Sequence, residues 1–588
     1  MSEARASILS PQPWLETIEG TRPILLIAPH GGRAGHAARA TLHPKVNDLH
    51  TAEITRELAG RLDASALINA EMDRNLLDCN RIPQVARDAP WMLDMIADRL
   101  AALVDRFGRA TVLLIHGWNI IEPRVDFGLG VRRHGDELRP VGSARVSASD
   151  AFIREELGHL AARLRESRIT PTFGMRYPGG GIHNLVQAFT ERHRDSDVAA
   201  ICRIASIAAQ GLVNTAQLEL SVSVRLPGPL RERYLDAMSE TFDAKSRART
   251  AATPSLSIIR TPRPLKRAAP PPAPSRVGVE FYDPAQRIGA MASFDLGAAG
   301  FGARIMMISG ERRVVLCTCE GTTQREPDAL SLGPLSLKLD DDSLLLTFSG
   351  PAVVVPDGST YLSIERALAT GSLDPGARLA LRIPLSGAGF DPSVLFPDPR
   401  SAASSSPATP LFSVATGEIT LEGKTRALRA STRAGVSFTG LGPQRFTARR
   451  MVWALFDDDE HGCAAVELRH VQDAHGPGHR SAWILTDGDW AAVPLEKLAI
   501  ETPAADAPPH RLEAAAGGAD SDPLQLRGTP LAFVPLSRPG PDGSRIYTSL
   551  GFGTFRAGDR TATGMFEYSR IVIPEASRRH GGDDSDSD

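Results

Sequence analysis

Two histidines each close a short apolar run and sit beside glycine: His30 in PILLIAPHGG (23–32) and His116 in TVLLIHG (111–117). A single histidine after a strand is more often a satisfied structural residue. Two of them, with acidic residues close by in sequence, point to metal ligation, because imidazole is the commonest protein metal ligand. A third protein ligand and an open water position would complete a catalytic zinc site. Glu219 stands between Leu218 and Leu220 in QLELSVSVRLP (217–227). A carboxylate on such an apolar run costs several kcal/mol unless it is paired or lines a cleft, roughly the cost of any buried charge, and this marks Glu219 as functional. YPGGGIHN (177–184) carries His183 and Asn184 on a glycine-rich loop able to cover a pocket and meet substrate. No Lys-Ser/Thr pair follows its glycines, so it is not a phosphate loop.

The elements around these residues alternate. Runs 23–29, 111–117 and 217–227 read as strands, TAEITRELAGRL (51–62) as a helix, and 149–167 as an amphipathic helix capped by Ser149 or Asp150. Alternating apolar strands and helices predict an α/β domain over 1–244 with a mostly parallel central sheet. In such sheets reactive groups gather at the carboxyl ends of the strands, where both histidines fall. KSRARTAATPSLSIIRTPRPLKRAAPPPAPSR is basic and proline-rich and makes 245–276 a linker. Beyond it, runs such as ARIMMIS, RRVVLCTCE, ARLALRIPL and MVWALF are separated by Gly, Pro and Asp turns, an all-β grammar. The Ser/Pro-rich stretch 401–410 divides this region into β domains over 277–400 and 411–575, and an acidic tail, 576–588, closes the chain.

A formal net charge of -3 and 5% aromatics speak against a nucleic-acid partner. No run approaches the ~20 apolar residues of a membrane span, and no signal-peptide pattern opens the chain. The five cysteines (Cys79, Cys202, Cys317, Cys319, Cys463) read as reduced thiols of a soluble, cytoplasmic protein, and Ala, Arg and Gly usage fits a bacterial source. Cys317 and Cys319 are expected to face opposite ways on a strand and so to be poor partners for one metal.

Over residues 20–240, five blocks in order resemble the N-formylglutamate amidohydrolase family and its zinc carboxypeptidase-like fold. They are APHGG (28–32), VNDLHTAEITRELA (46–59), MDRNLLDCNR (72–81), the stretch from LLIHGWN (114–119) to VDFGLGVRR (125–133), and NTAQLELSVSVR (214–225). The resemblance implies one zinc per chain held by His30, Asp48 and His116, with Glu219 as general base. It implies Arg74 as stabiliser of carbonyl charge, and Asn80 and Arg81 as the grip on a substrate carboxylate. A guanidinium suits that last role because its donors meet a carboxylate in pairs. Asp48 also fits a helix cap for 51–62, Glu53 and His50 compete as third ligand, and Arg81 competes as a structural ion pair with Asp78. An insert-like RAGHAARATLHPK (33–45) separates His30 from Asp48.

In the β region, VEFYDPAQRIGAMASFDLG (279–297), RFTARRMVWALFDDDEHGCAAVELRH (445–470), SAWILTDGDW (481–490) and GMFEYSRIV (564–572) resemble the lipocalin-like domains of AttH and carotenoid 1,2-hydratase relatives. One or two barrels are implied, with room for an apolar ligand. Trp453, Trp483 and Trp490 read as core, and Asp457–Glu460 as a solvated turn. The expected function is zinc-dependent hydrolysis of an N-acyl amino acid or a related small carboxylate-bearing amide, with the β region as an accessory module. The alternative is a lipid- or isoprenoid-binding or hydratase-type protein that acts through its barrels.

Overall fold

The computed structural model describes residues 13–33, 45–134, 137–140, 146–242 and, with short breaks, 276–572. The insert at 34–44 (with His36 and His43), the linker short of Arg276, the 401–409 stretch, the 457–460 turn and the acidic tail lie outside the described residues. The chain forms two compact units, Met1–Arg267 and Ala268–Asp588.

The first unit is built on a seven-stranded mixed sheet. Its strands are β1 (Leu15–Ile18), β2 (Ile24–Ala28), β3 (Ser65–Asn69), β4 (Ala110–Trp118), β5 (Arg124–Gly128), β8 (Thr170–Phe173) and β9 (Val213–Ser221), in the order β1-β3-β2-β4-β9-β5-β8. A small hairpin of β6 (Val131–His134) and β7 (Glu137–Pro140) stands apart. The pairings β2–β3, β2–β4, β4–β9 and β5–β8 are parallel, while β1–β3 and β5–β9 are antiparallel. Every residue of β2 is buried, as expected of a strand covered on both faces. One face packs on the helices Pro90–Phe107 and Ala199–Ala209 through Leu25, Ile27, Val112, Leu114, Leu93, Ile96 and Ile201.

Local chemistry sets the element ends. The helix over 51–62 forms as expected, but its cap position is His50, in a left-handed conformation (φ 67), and not Asp48. The helix after residue 149 is capped by Ser149, whose Oγ accepts from Phe152 N at 3.2 Å, and it carries a π-helical stretch over Ile153–Leu157. β9 corrects the sequence expectation: it begins at Val213 and ends at Ser221, and Val222–Arg225 turns into a short helix. The alternation after Glu219 that reads as strand is a helical turn whose four residues are all buried.

The strands of the second unit are all antiparallel and form two barrel-like sheets, with short helices over Gly358–Leu362, Ile364–Thr370 and Pro392–Leu395. The first contains β10 (Arg276–Asp283), β11 (Ile288–Asp295), β12 (Ala303–Ser309), β13 (Arg313–Cys319), β14 (Gln324–Glu326), β15 (Ala329–Leu332), β16 (Leu335–Asp340), β17 (Ser343–Val355), β18 (Ser372–Pro384), β19 (Leu411–Leu421) and β20 (Lys424–Ser437). Pairing of β13 with β17, together with β10 with β20, closes eight of these strands on themselves. One layer of the interior runs Cys317, Ile305, Ala292, Val279, Ala434, all buried and in register. Cys317 and Cys319 therefore share the inward face of β13, as residues two apart on a strand must; the expectation of opposite faces is corrected. Neither they nor Cys79 and Cys202 form disulfides.

The second sheet has nine strands between Phe446 and Val572. The 411–437 hairpin, grouped by sequence with the later β domain, belongs instead to the first sheet, where Val279 faces Ala434 and Phe281 faces Thr432. The break between sheets falls after Ser437 because β10 needs β20 to satisfy its outer edge. Arg433 of β20 lies buried between Glu280 and Glu467, with Nη1 3.0 Å from Glu280 Oε2 and Nε 2.6 Å from Glu467 Oε2. Trp453 is fully buried, whereas Trp483 and Trp490 are partly exposed. Among the described residues no helix is long and apolar enough to cross a membrane.

Candidate metal centre

His30 lies two residues beyond the end of β2, and His116 lies within β4, on the face shared with Val112 and Leu114. Parallel pairing of β2 with β4 brings the two rings together, with centroids 4.9 Å apart and edges to face. Asp48 arrives from the turn before the 51–62 helix, tied down by its own N–H, which donates to the His30 carbonyl at 2.9 Å. Its Oδ2 is 3.3 Å from His30 Nδ1 and 3.4 Å from His116 Nδ1. The ligand atoms of His30, Asp48 and His116 all lie within 4.8 Å of one another, and all three residues are buried. These residues could hold a metal ion.

Two glycines permit this approach. A Cβ on Gly32 would fall 2.0 Å from the Met72 carbonyl oxygen, so the chain after His30 can pass the 69–72 turn only without a side chain. A Cβ on Gly117 would fall 2.9 Å from the Asp48 Cβ, and the bare Gly117 N–H donates to Asp48 Oδ2 at 2.9 Å.

The surroundings settle which nitrogen of His30 is available. Its Nε2 is 2.7 Å from Asp78 Oδ1, which occupies that nitrogen and leaves Nδ1 as the one facing Asp48. Asp78 is gripped in turn by Lys45 Nζ at 2.7 Å, with Arg74 Nη2 and Arg81 Nε each 3.9 Å from the same carboxylate. Burial opposes ionisation of Asp48, but hydrogen bonds from His116 and His30 and the charge of Arg74 outweigh it and hold that carboxyl well below its usual range. His116 is pushed down to about 4, first by burial, then by the charges of His30 and Arg74, against the pull of Asp48. It is thus a neutral imidazole, the form that binds a cation. Its Nε2 has no hydrogen-bond partner among the described residues.

Glu219 of β9 sits beside His116 in the parallel register and is 5% exposed. Gln217, two residues earlier on the same face, donates to its Oε1 at 2.5 Å. Burial, and then the charge of Asp48, raise the Glu219 carboxyl well above its ordinary range. A buried carboxyl poised to take or release a proton beside two imidazoles is a general acid/base arrangement.

The remaining sequence candidates divide. Arg74 reaches the cluster, with Nη1 3.2 Å from Asp48 Oδ1 and 3.0 Å from the Val46 carbonyl oxygen. Arg81 is half-exposed at the rim, beside Asp78 as the ion-pair reading expected. Asn80 is engaged structurally: its Oδ1 accepts from Leu185 N at 3.2 Å. Asn184 caps the next turn through Val186 N at 2.9 Å and donates to Gln217 Oε1 at 3.3 Å, which links it to Glu219 through one amide. The His183 side chain is exposed, and only its backbone carbonyl is engaged, by Ile82 N at 2.9 Å. His50 and Glu53 stand outside the ligand group; Glu53 meets Arg33 at 3.7 Å near the surface.

Asp78, Lys45, Gln217 and Arg225 escape the sequence reading as site residues. Asp78 and Gln217 carried a signal, one two residues before Asn80 and the other two before Glu219 on one strand face. Lys45, at the end of the insert, carried none.

No known protein family matches this sequence, and no curated protein matches it. Solved structures similar to this chain include kievitone hydratase from Nectria haematococca, at 9% identity over 51% of this chain and 89% of that chain, with a TM-score of 0.28. A putative AttH from Nitrosomonas europaea is similar at 11% identity over 50% and 91%, with a TM-score of 0.29. N-formylglutamate amidohydrolase from Ralstonia eutropha JMP134 is similar at 12% identity over 40% and 97%, with a TM-score of 0.27.

Proposed function

We propose that the first unit is a zinc-dependent amidohydrolase of carboxypeptidase-like type, cutting an N-acyl amino acid or a related carboxylate-bearing amide. The observation that carries this reading is the convergence of one ligand atom each from His30, Asp48 and His116 within 4.8 Å, with Glu219 next to His116 in register. Two nitrogens and a carboxylate oxygen suit zinc, and three protein ligands leave a coordination position open. When bound, such a cation polarises a carbonyl and makes water acidic enough to attack at neutral pH.

The chain's own groups do the rest. Glu219 Oε2 takes the proton from the attacking water and returns it to the leaving nitrogen. Gln217, held by Asn184, keeps that carboxyl aimed. Arg74 places positive charge at the cluster, where carbonyl charge develops. Arg81, half-exposed at the rim, receives the substrate carboxylate. The β half serves as a ligand-binding or docking module, and the thiols suit a cytoplasmic setting.

The test pairs metal analysis of the purified chain with a panel of N-formyl, N-acetyl and longer N-acyl amino acids. About one zinc per chain, lost in a His30→Ala/His116→Ala double variant, with hydrolysis of at least one panel member, supports the reading. A metal-free protein that is inert on the whole panel and carries bound lipid would replace it with a binding role for the barrels.

A further inference from the structure

Arg225 is the most deeply buried arginine of the first unit, at 2% exposure, and among the described residues it forms no ion pair. A guanidinium taken out of water without a carboxylate beside it is costly. Something other than fold stability must account for it, since an apolar side chain of that volume would pack at less cost. Its two terminal nitrogens are spent on two chain segments, while Nε has no hydrogen-bond partner among the described residues. Nη1 donates to the Leu49 carbonyl at 2.8 Å, and Nη2 donates to Asn119 Oδ1 at 2.9 Å and to the Trp118 carbonyl at 3.3 Å. Leu49 directly follows Asp48, while Trp118 and Asn119 lie two and three residues after His116. One planar fork therefore ties the turn that carries one ligand to the strand end that carries another. Between them, Gly117 has no side chain: a Cβ there would sit 2.6 Å from Arg225 Nη1.

We propose that Arg225 is a positioning residue that sets the spacing of Asp48 and His116 for a divalent cation, an inference that rests on the metal-centre reading above. Removing it has two opposed effects. Loss of a neighbouring positive charge would favour a cation. Loss of the tie lets the 47–49 turn drift from the end of β4 and weakens binding. The geometry makes the second dominate. Lysine cannot replace arginine here, because one ammonium is a single point of donation and cannot span both segments in a fixed plane.

The experiment measures Zn²⁺ affinity of the full chain by competition with a chromophoric chelator, for wild type, Arg225→Lys, Arg225→Met and the milder Asn119→Ala. Far-UV circular dichroism and melting in excess chelator show which variants fold. The expected result is graded: folded Arg225 variants bind zinc about 10- to 100-fold more weakly, the usual cost of removing a group that orients ligands. Asn119→Ala, which removes one of three acceptors, falls between them and wild type, and it carries the test if neither Arg225 variant folds. Wild type that binds one zinc while the folded variants bind as tightly or more tightly overturns the role of Arg225 alone. Wild type that takes up no zinc overturns the metal centre and this inference with it.

Discussion

His30 Nε2 and Asp78 Oδ1 are 2.7 Å apart, and both side chains are 2% exposed. A buried carboxylate against one imidazole nitrogen fixes the ring, so the opposite nitrogen faces Asp48. Asp78→Ala should therefore leave all three ligands in place and still weaken zinc binding by about 10- to 100-fold. Chelator competition measures this. Affinity equal to wild type would mean that His30 holds its orientation unaided.

Glu219→Gln keeps the side chain's shape and its bond from Gln217 but removes the titrating proton. Turnover should fall by about 10²- to 10⁴-fold, the usual share of general acid/base catalysis, with zinc content unchanged. The same change should stabilise the metal-free protein at pH 7. Burial raises the folded Glu219 carboxyl above its unfolded value, so ionisation above that unfolded value favours the unfolded state. Full activity in this variant would remove Glu219 from the reaction.

His116 gives metal-free protein a defined pH response. Its folded value is about 4, against roughly 6.5 unfolded. Between these values the unfolded chain binds a proton that the folded chain refuses, so stability falls as pH drops through that window. The loss is on the order of 3 kcal/mol when complete. Melting of chelator-treated protein across pH 4–7 reads it, and His116→Gln should flatten the slope. An unchanged slope would place the titrating group elsewhere.

In the second unit, Arg433→Met takes the cation from part-buried Glu280 and leaves buried Glu467 with Arg469 alone. Breaking such a network costs about 3–5 kcal/mol, whereas replacing all its members by apolar groups is often near neutral. Denaturant titration should find Arg433→Met strongly destabilised and a quadruple variant that adds Glu280→Met, Glu467→Met and Arg469→Met largely restored. A mild effect of the single change would show that water reaches the pair.

The alternation of strands and helices, the helix over 51–62 and the change to β grammar beyond the linker were legible because each rests on local periodicity. His30, His116 and Glu219 stood out because an imidazole or carboxylate on or just beyond an apolar strand is conspicuous, whereas Asp48 was legible only through the resemblance. What orients them was not. Asp78 reads as one acid among many until the fold swings it under His30, and Arg225 reads as a strand residue until β9 turns helical at Val222. Asn80 and Asn184 look like substrate contacts in sequence, and only tertiary hydrogen bonds reveal them as struts. Strand partners in the β region are equally hidden, since register depends on segments far apart along the chain.

The pairing of β10 with β20 joins residues about 150 positions apart, and it has a practical side. A protein shortened at residue 400 would keep β10 through β18 but lose the two strands that finish the ring. Both β10 and β18 would then present bare N–H and C=O rows, an invitation to pair with neighbouring molecules and precipitate. The shortest piece worth expressing from this region runs past Ser437.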